Sequence, residues 1–293
     1  MGIGETLSLL CAFIWAIAVI LYKKAGDHFN AYEMNLFKSV FVFMLMIPTV
    51  LIFDSWEVPQ MSSYQFGVIL ISGIIGIMLA DLFYLRALQL IGASLTGITG
   101  SLYSPFVVSL SMLLLAESLN NWQYFGMLLV LAGVVLVGYR KKSLTIEHPP
   151  IRGFVFATLA VFFTALGIVI IKPVSTELPF FWIILIRSFG GMIAMVLYGL
   201  ALRQPLTVSH ILKAKGGMWL ILGTFLGQYV SMMIWVAGYK YTSASVASIL
   251  NETASVFILL LSWIFLKEHL NFRKVIGVVI TITGVLFVLQ ISM

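Results

Sequence analysis

The 293-residue sequence is 61% hydrophobic and 10% charged, with a mean hydropathy of +1.08; soluble domains carry roughly 25% charged residues, so this chain has too few to cover a water-facing surface. Its formal net charge of +6 does not make a nucleic-acid surface, because the basic residues lie between apolar runs rather than clustered on one solvated face. The only cysteine, Cys11, falls inside the first apolar run, which excludes an internal disulfide and a thiolate metal cluster.

At about 20 apolar residues per crossing, the chain has room for about ten helices and short loops. The first apolar run, 4–22, lacks the basic stretch and small-residue cleavage site of a secretory signal and reads as part of the mature protein. Further spans are predicted at 31–53, 64–85, 93–115 and 121–139, then at 151–171, 180–202, 215–238, 243–266 and 272–290. Helices are expected throughout, because lipid offers no partner to a free backbone group and the runs are too long and too continuously apolar for barrel strands. The tract RKKSLTIEHPPIR, with paired prolines and charges, reads as the linker.

The second half repeats the first. Residues 83–138 set against 234–289, an offset of 151, match at 15 of 56 positions without a gap. Ala93 pairs with Ala244, Ser94 with Ser245, Glu117 with Glu268, Asn120 with Asn271, Gly126 with Gly277 and Gly133 with Gly284. Earlier in each half an offset of 149 pairs Gly4 with Gly153, Lys23 with Lys172 and Lys38 with Arg187. An odd number of spans per half makes the second copy enter the membrane from the opposite side. The expected fold is therefore an all-α integral membrane protein of ten helices in two inverted five-helix repeats, 1–139 and 153–293, joined by the linker 140–152. Such symmetry is a signature of transporters.

Of the 17 Lys and Arg residues, 13 fall in odd-numbered connections, and only Lys172 and Lys240 fall on the other side. The positive-inside rule then places the linker in the cytoplasm and both termini outside.

The chain resembles the ten-helix drug/metabolite transporters with paired EamA domains, over nearly its whole length. The resemblance rests on the Trp15–Ala16 pair, on a basic residue in the second helix of each half (Lys38, Arg187) and on the stretch DLFYLRALQLIGAS from Asp81 to Ser94. It also rests on Pro105 followed by LLLAESL, which FLKEHL answers in the second half. Val256 stands where the first half has Pro105, and Thr164 where it has Trp15. The resemblance implies alternating-access transport of small metabolites in a plasma or inner membrane, with both termini in the cytoplasm, opposite to the charge count.

Several residues are candidates for chemistry. Asp81 sits within the third span, where an ionised carboxylate needs a partner or water; it reads either as a proton or cation site, with Tyr84 on the same face, or as a structural hydrogen bond. Glu252, beside Asn251, continues a polar stripe with Ser245, Ser248 and Ser255 at helical spacing. Packing alone does not require a carboxylate there, so Glu252 is expected to line a central cavity. Trp15, Tyr103 and Gln228 are candidates for the solute's walls. Lys38 and Arg187 are assigned structural roles, neutralising buried carboxylates or snorkelling. Glu117 and Glu268 are assigned to the tight turns before the next helix, with Asn120 and Asn271 as N-caps.

The expected function is a secondary transporter, more specifically an exporter, for a small solute such as an amino acid, a nucleoside-type or a drug-like compound. Protons are a candidate coupling ion, the lipid bilayer is the surrounding partner, and a monomer or homodimer is expected, with no nucleic acid, cofactor or metal. An intramembrane enzyme is the alternative of another class, but all four histidines, His28, His148, His210 and His269, lie in predicted loops, and no HExxH or GxSxG pairing appears. A non-transporting scaffold is the third reading.

Overall fold

The computed structural model describes residues 2–26, 28–54, 57–138, 150–206, 209–266 and 272–289, and among these every regular element is helical. The first half comprises α1 (Ile3–Ala25), α2 (Ala31–Phe53), α3 (Ser63–Gly73), α4 (Ala80–Gly100), α5 (Tyr103–Leu115) and α6 (Asn121–Gly138). The second comprises α7 (Ile151–Ser175), α8 (Phe180–Ala201), the short α9 (Ser209–Lys213), α10 (Gly217–Gly223), α11 (Ser231–Tyr241), α12 (Ala244–Asn251), α13 (Ala254–Leu266) and α14 (Phe272–Leu289). Six helical stretches are long and apolar enough to cross a membrane: Ile3–Tyr22, Ala31–Phe53, Ser63–Ala87, Ile151–Ser175, Phe180–Ala201 and Gly217–Tyr241. Tyr103–Leu115, Asn121–Leu136, Ala244–Ile258 and Val275–Leu289 are apolar but shorter.

Local chemistry starts these helices where hydropathy alone is vague. Asn30 accepts from the Glu33 backbone N–H at 2.9 Å while the Glu33 carboxylate accepts from the Asn30 N–H at 2.9 Å, a reciprocal cap that satisfies two otherwise orphaned donors. Ser62 with Gln65 opens α3 in the same way, and Asn120 with Gln123 opens α6. Asn271, the other expected cap, and Glu268 lie outside the described residues.

Two departures from the expected spans bear on function. The third and eighth spans each contain a π-helical turn, Ile74–Leu79 between α3 and α4 and Thr224–Val230 between α10 and α11. The fourth and ninth spans are each broken, at Ser101–Leu102 and at Glu252–Thr253. Helix therefore continues through residues 63–100, where a boundary was expected near 86–92. Gly92 is the lone helix-weakening residue there, and one glycine costs a helix only about 1 kcal/mol, which is too little to stop it. The expected single polar face of Ser245, Ser248, Glu252 and Ser255 is likewise divided between two helices. Thr253 causes this, since its hydroxyl donates to the Leu250 carbonyl at 2.7 Å and its N–H to the same oxygen at 3.1 Å, tightening the chain away from the α-helical ladder.

Packing relates the halves. α2 lies antiparallel to its counterpart α8, with Tyr32 beside Tyr198, Phe43 beside Phe189 and Phe53 beside Phe181. α6 lies antiparallel to α14: Gly126 meets Gly284 and Val288, and Gly133 meets Gly277 and Thr281. The remaining contacts exchange in pairs. α1 packs along α10 and α11, with Ser8 at Gly238 and Ala18 and Tyr22 at Gly227; α7 packs along α3 and α4, with Phe156 and Phe163 at Phe83. Exchanging the halves reproduces these contacts, but α3 also packs closely on α8, with Gly73 at Arg187 and Gly190 at Leu70, a contact that α10 and α2 do not repeat to the same extent. Because self-paired helices run antiparallel, the exchange axis lies across the bundle rather than along it. The two described chain ends meet one face of the bundle, Glu5 bonding Thr242 at 2.7 Å and Val288 packing at Gly126.

Candidate functional site

The buried polar side chains collect where the π turns cross α2 and α8. A π turn accommodates one extra residue per turn and commonly re-aims side chains. Here the first turn presents Ile77 and the second presents Gln228 to a crevice whose other walls are Ser39, Val42 and Ser188. Ser39 and Ser188 stand at the 149 offset, and Ile77 and Gln228 at the 151 offset. The crevice therefore sits on the exchange axis between the halves. In this conformation it is too narrow to admit even a water molecule.

Three groups surround this centre. In the first, Lys38 on α2 donates to Asp81 at the start of α4 at 2.6 Å, with the lysine side chain 6% and the aspartate side chain 21% exposed. The ammonium also lies 5.1 Å from the Tyr22 ring, which is itself edge-on to Trp15. In the second, Arg187 on α8 is 1% exposed, its guanidinium 5.3 Å from the Trp235 ring and beside Gly76 of the first π turn. Among the described residues its Nε and Nη1 have no hydrogen-bond partner, and neither do the hydroxyls of Ser39 and Ser188.

The third group joins the two helix breaks. Glu252, at the second break, accepts from the backbone N–H of Ser104 at 3.1 Å and from its hydroxyl at 2.9 Å. Ser104 lies just past the first break. The Tyr103 and Tyr239 hydroxyls bond each other, again across the halves. The Glu252 carboxylate thus ties the two breaks together, and the tyrosine pair ties the start of α5 to α11.

The expected candidates distribute unevenly over this centre. Asp81, Gln228, Tyr103 and Glu252 are part of it; Trp15 reaches it through Tyr22; Tyr84 is half-buried one turn beyond Asp81 and packs with Phe37 and Leu85. Asn251 donates to the Ala247 carbonyl of its own helix at 2.9 Å, so its amide is directed along α12. Lys38 is paired with the Asp81 carboxylate, whereas no acidic side chain lies within ion-pair distance of Arg187 among the described residues. Glu117 does more than hold its own turn. It accepts from the N–H groups of Ala244 and Ser245 at 3.0 and 3.1 Å and lies 3.4 Å from Lys172, capping the first turn of α12 from the other half. No group of three or more metal-ligating side chains occurs among the described residues.

Ser39 and Ser188 are the residues that sequence reasoning missed, and a signal for them existed. The repeat aligns Lys38–Ser39 with Arg187–Ser188, so the serines recur beside the two aligned cations.

Comparison with known proteins agrees with this architecture. The profile of the EamA-like transporter family matches residues 2–139 and again residues 151–290. An "Uncharacterized transporter" of Archaeoglobus fulgidus is 24% identical over 284 residues, covering 97% of this chain and 96% of its own. "Uncharacterized transporter YdfC" of Bacillus subtilis is 35% identical over 104 residues, which is 36% of this chain and 32% of the relative. One crystal structure superposes with a TM-score of 0.77 at 15% identity, covering 99% of this chain and 98% of the other, a likeness of fold.

Proposed function

Because the chain belongs to the EamA-like transporter family and is a multi-pass membrane transporter, we propose that it exports a small metabolite across the cell membrane by alternating access. The two repeats, 1–139 and 153–293, act as inverted halves. They rock about the α2–α8 and α6–α14 contacts so that the central crevice opens first to one side and then to the other.

The observation that carries this reading is the recurrence of both irregularities at equivalent positions, a π turn in each third span and a break in each fourth. Backbone groups freed inside a membrane are tolerated only where they face protein or line a cavity, and interrupted helices in corresponding positions of two halves point to a transport site. A merely enlarged helical bundle has no need of either. The closed crevice fits one state of a cycle, in which solute enters only after the halves move.

Asp81, Glu252, Gln228, Tyr103, Tyr84 and Trp15 belong to the solute or coupling-ion path in this reading, and Asn251 adjoins it. Glu252 is suited to coupling. Its protonation removes the charge that holds Ser104, loosening the tie between the two breaks at the moment a proton is taken up.

Saturable flux in proteoliposomes, measured with amino acids, nucleosides, sugars and cationic dyes with and without a pH gradient, tests the proposal. Flux of one class that is lost in Glu252→Gln supports it. Absence of flux for every class, with normal cellular function of Glu252→Gln and Asp81→Asn, moves the protein to a scaffold.

A further inference from the structure

The two halves place a cation at the same point of their second helix but treat it differently. Lys38 has Asp81; the position equivalent to Asp81 under the 151 offset is Met232, a buried apolar residue of the core. Arg187 is therefore left with the face of Trp235, itself equivalent to Tyr84, and with Asp81 within electrostatic reach but already bonded to Lys38. A guanidinium 1% exposed, with two of its nitrogens unpartnered, lacks the counter-charge that buried ions require. The hydroxyls of Ser39 and Ser188, unpartnered among the described residues, and Gln228 line the crevice; Arg187 is not one of its walls but precedes Ser188 in the chain. Gly76, which precedes the wall residue Ile77, leaves the guanidinium room, since a Cβ there would lie 2.8 Å from its Nη2.

We propose that Arg187 is the receptor for a carboxylate on the transported solute, with Ser39, Ser188 and Gln228 as neutral hydrogen-bond partners. The inference rests on the transport reading and names its substrate class. A planar guanidinium matches a carboxylate through two parallel N–H···O bonds. One cation without an acid beside it balances one negative charge, so a monocarboxylate fits the charge balance and a dianionic phosphate leaves one charge uncompensated. The solute thus supplies in the second half what Asp81 supplies in the first. Trp235, Tyr103 and Tyr239 provide aromatic surface beside it for the rest of the solute.

The test uses full-length protein in proteoliposomes and radiolabelled probes in matched pairs: L-amino acids and short monocarboxylates, each against its own amide, with inorganic phosphate and a lipophilic cation as further arms. Carboxylates are expected to show saturable flux and their amides at least about tenfold less, as one lost charge-assisted pair implies. Arg187→Gln should abolish the difference between acid and amide, and Arg187→Lys should restore part of it. Met232→Asp is the variant that separates binding from folding. It gives Arg187 an internal partner, so carboxylate flux should fall at least about tenfold while the thermal midpoint holds or rises. Saturable flux of amides, phosphate or the cation in place of carboxylates would overturn the carboxylate assignment and leave the transport reading standing. So would undiminished carboxylate flux in a folded Arg187→Gln protein. Absence of flux for every probe, from protein that elutes as a single folded species, would remove both.

Discussion

The second helices of the two halves differ in how they keep a buried charge, and the difference separates scaffold from chemistry. In the first half, Lys38 and Asp81 form a closed pair at 2.6 Å. In the second, Arg187 lies over Trp235 with two unpartnered nitrogens. A ring face gives a desolvated cation about 2 kcal/mol, far less than a buried ion needs. The α2–α8 and α6–α14 pairings, the π turns and the breaks obey the repeat, whereas the counter-charge does not. In the proposed cycle, symmetry provides the frame and the unequal counter-charge distinguishes one half from the other.

The strongest way to break the comparison is to remove each cation in turn. Lys38→Met leaves Asp81 buried without its partner, and removing one member of a buried pair costs about 3–5 kcal/mol. A large fall in thermal midpoint in detergent is expected, with recovery in Lys38→Met/Asp81→Leu. Arg187→Met removes a charge that has no acid beside it, so the midpoint should stay within the equivalent of about 1 kcal/mol or rise. Equal losses in the two single variants would show that Arg187 has an internal partner after all.

A smaller effect is expected at the seam that both halves share. A Cβ on Gly126 would lie 2.7 Å from the Gly284 carbonyl, and one on Gly284 would lie 2.7 Å from that of Gly126. Gly126→Leu should cost about 1–3 kcal/mol by forcing the helices apart. Gly67, with open space around its Cα, should accept alanine without loss. Asn120→Ala removes a reciprocal cap at the start of α6 and should cost about 1 kcal/mol, again read as a thermal midpoint. This last change leaves the charge difference between the halves untouched, so it sets the scale for a local helix-end effect.

Hydropathy located α1, α2, α7 and α8 closely, because prolines, caps and charges punctuate their ends. The glycine seam was visible too, as residues recurring at seven-residue spacing. The π turns were not. Inserting one residue into a helical turn changes neither composition nor apolar content, so Ile74–Leu79 and Thr224–Val230 read as ordinary span. The break at Glu252 was hidden for a related reason: a serine-rich stretch with helical spacing says nothing about whether Thr253 will bond back onto Leu250. Asp81 and Glu252 could be picked out because a carboxylate in an apolar run is conspicuous. Ser39 and Ser188 were marked only by their recurrence beside the two aligned cations, since a buried serine is ordinary until its hydroxyl is seen to lack a partner. The sequence assigns Arg187 and Lys38 the same structural role, because a linear sequence does not display which carboxylate a cation meets.

The closed crevice has a consequence for the membrane in which the protein sits. With no space for a water molecule between Ser39, Val42, Ile77, Ser188 and Gln228, a file of water is interrupted there, and moving one elementary charge through 100 mV involves about 2.3 kcal/mol. In this conformation a charge has no watery path through that point of the bundle.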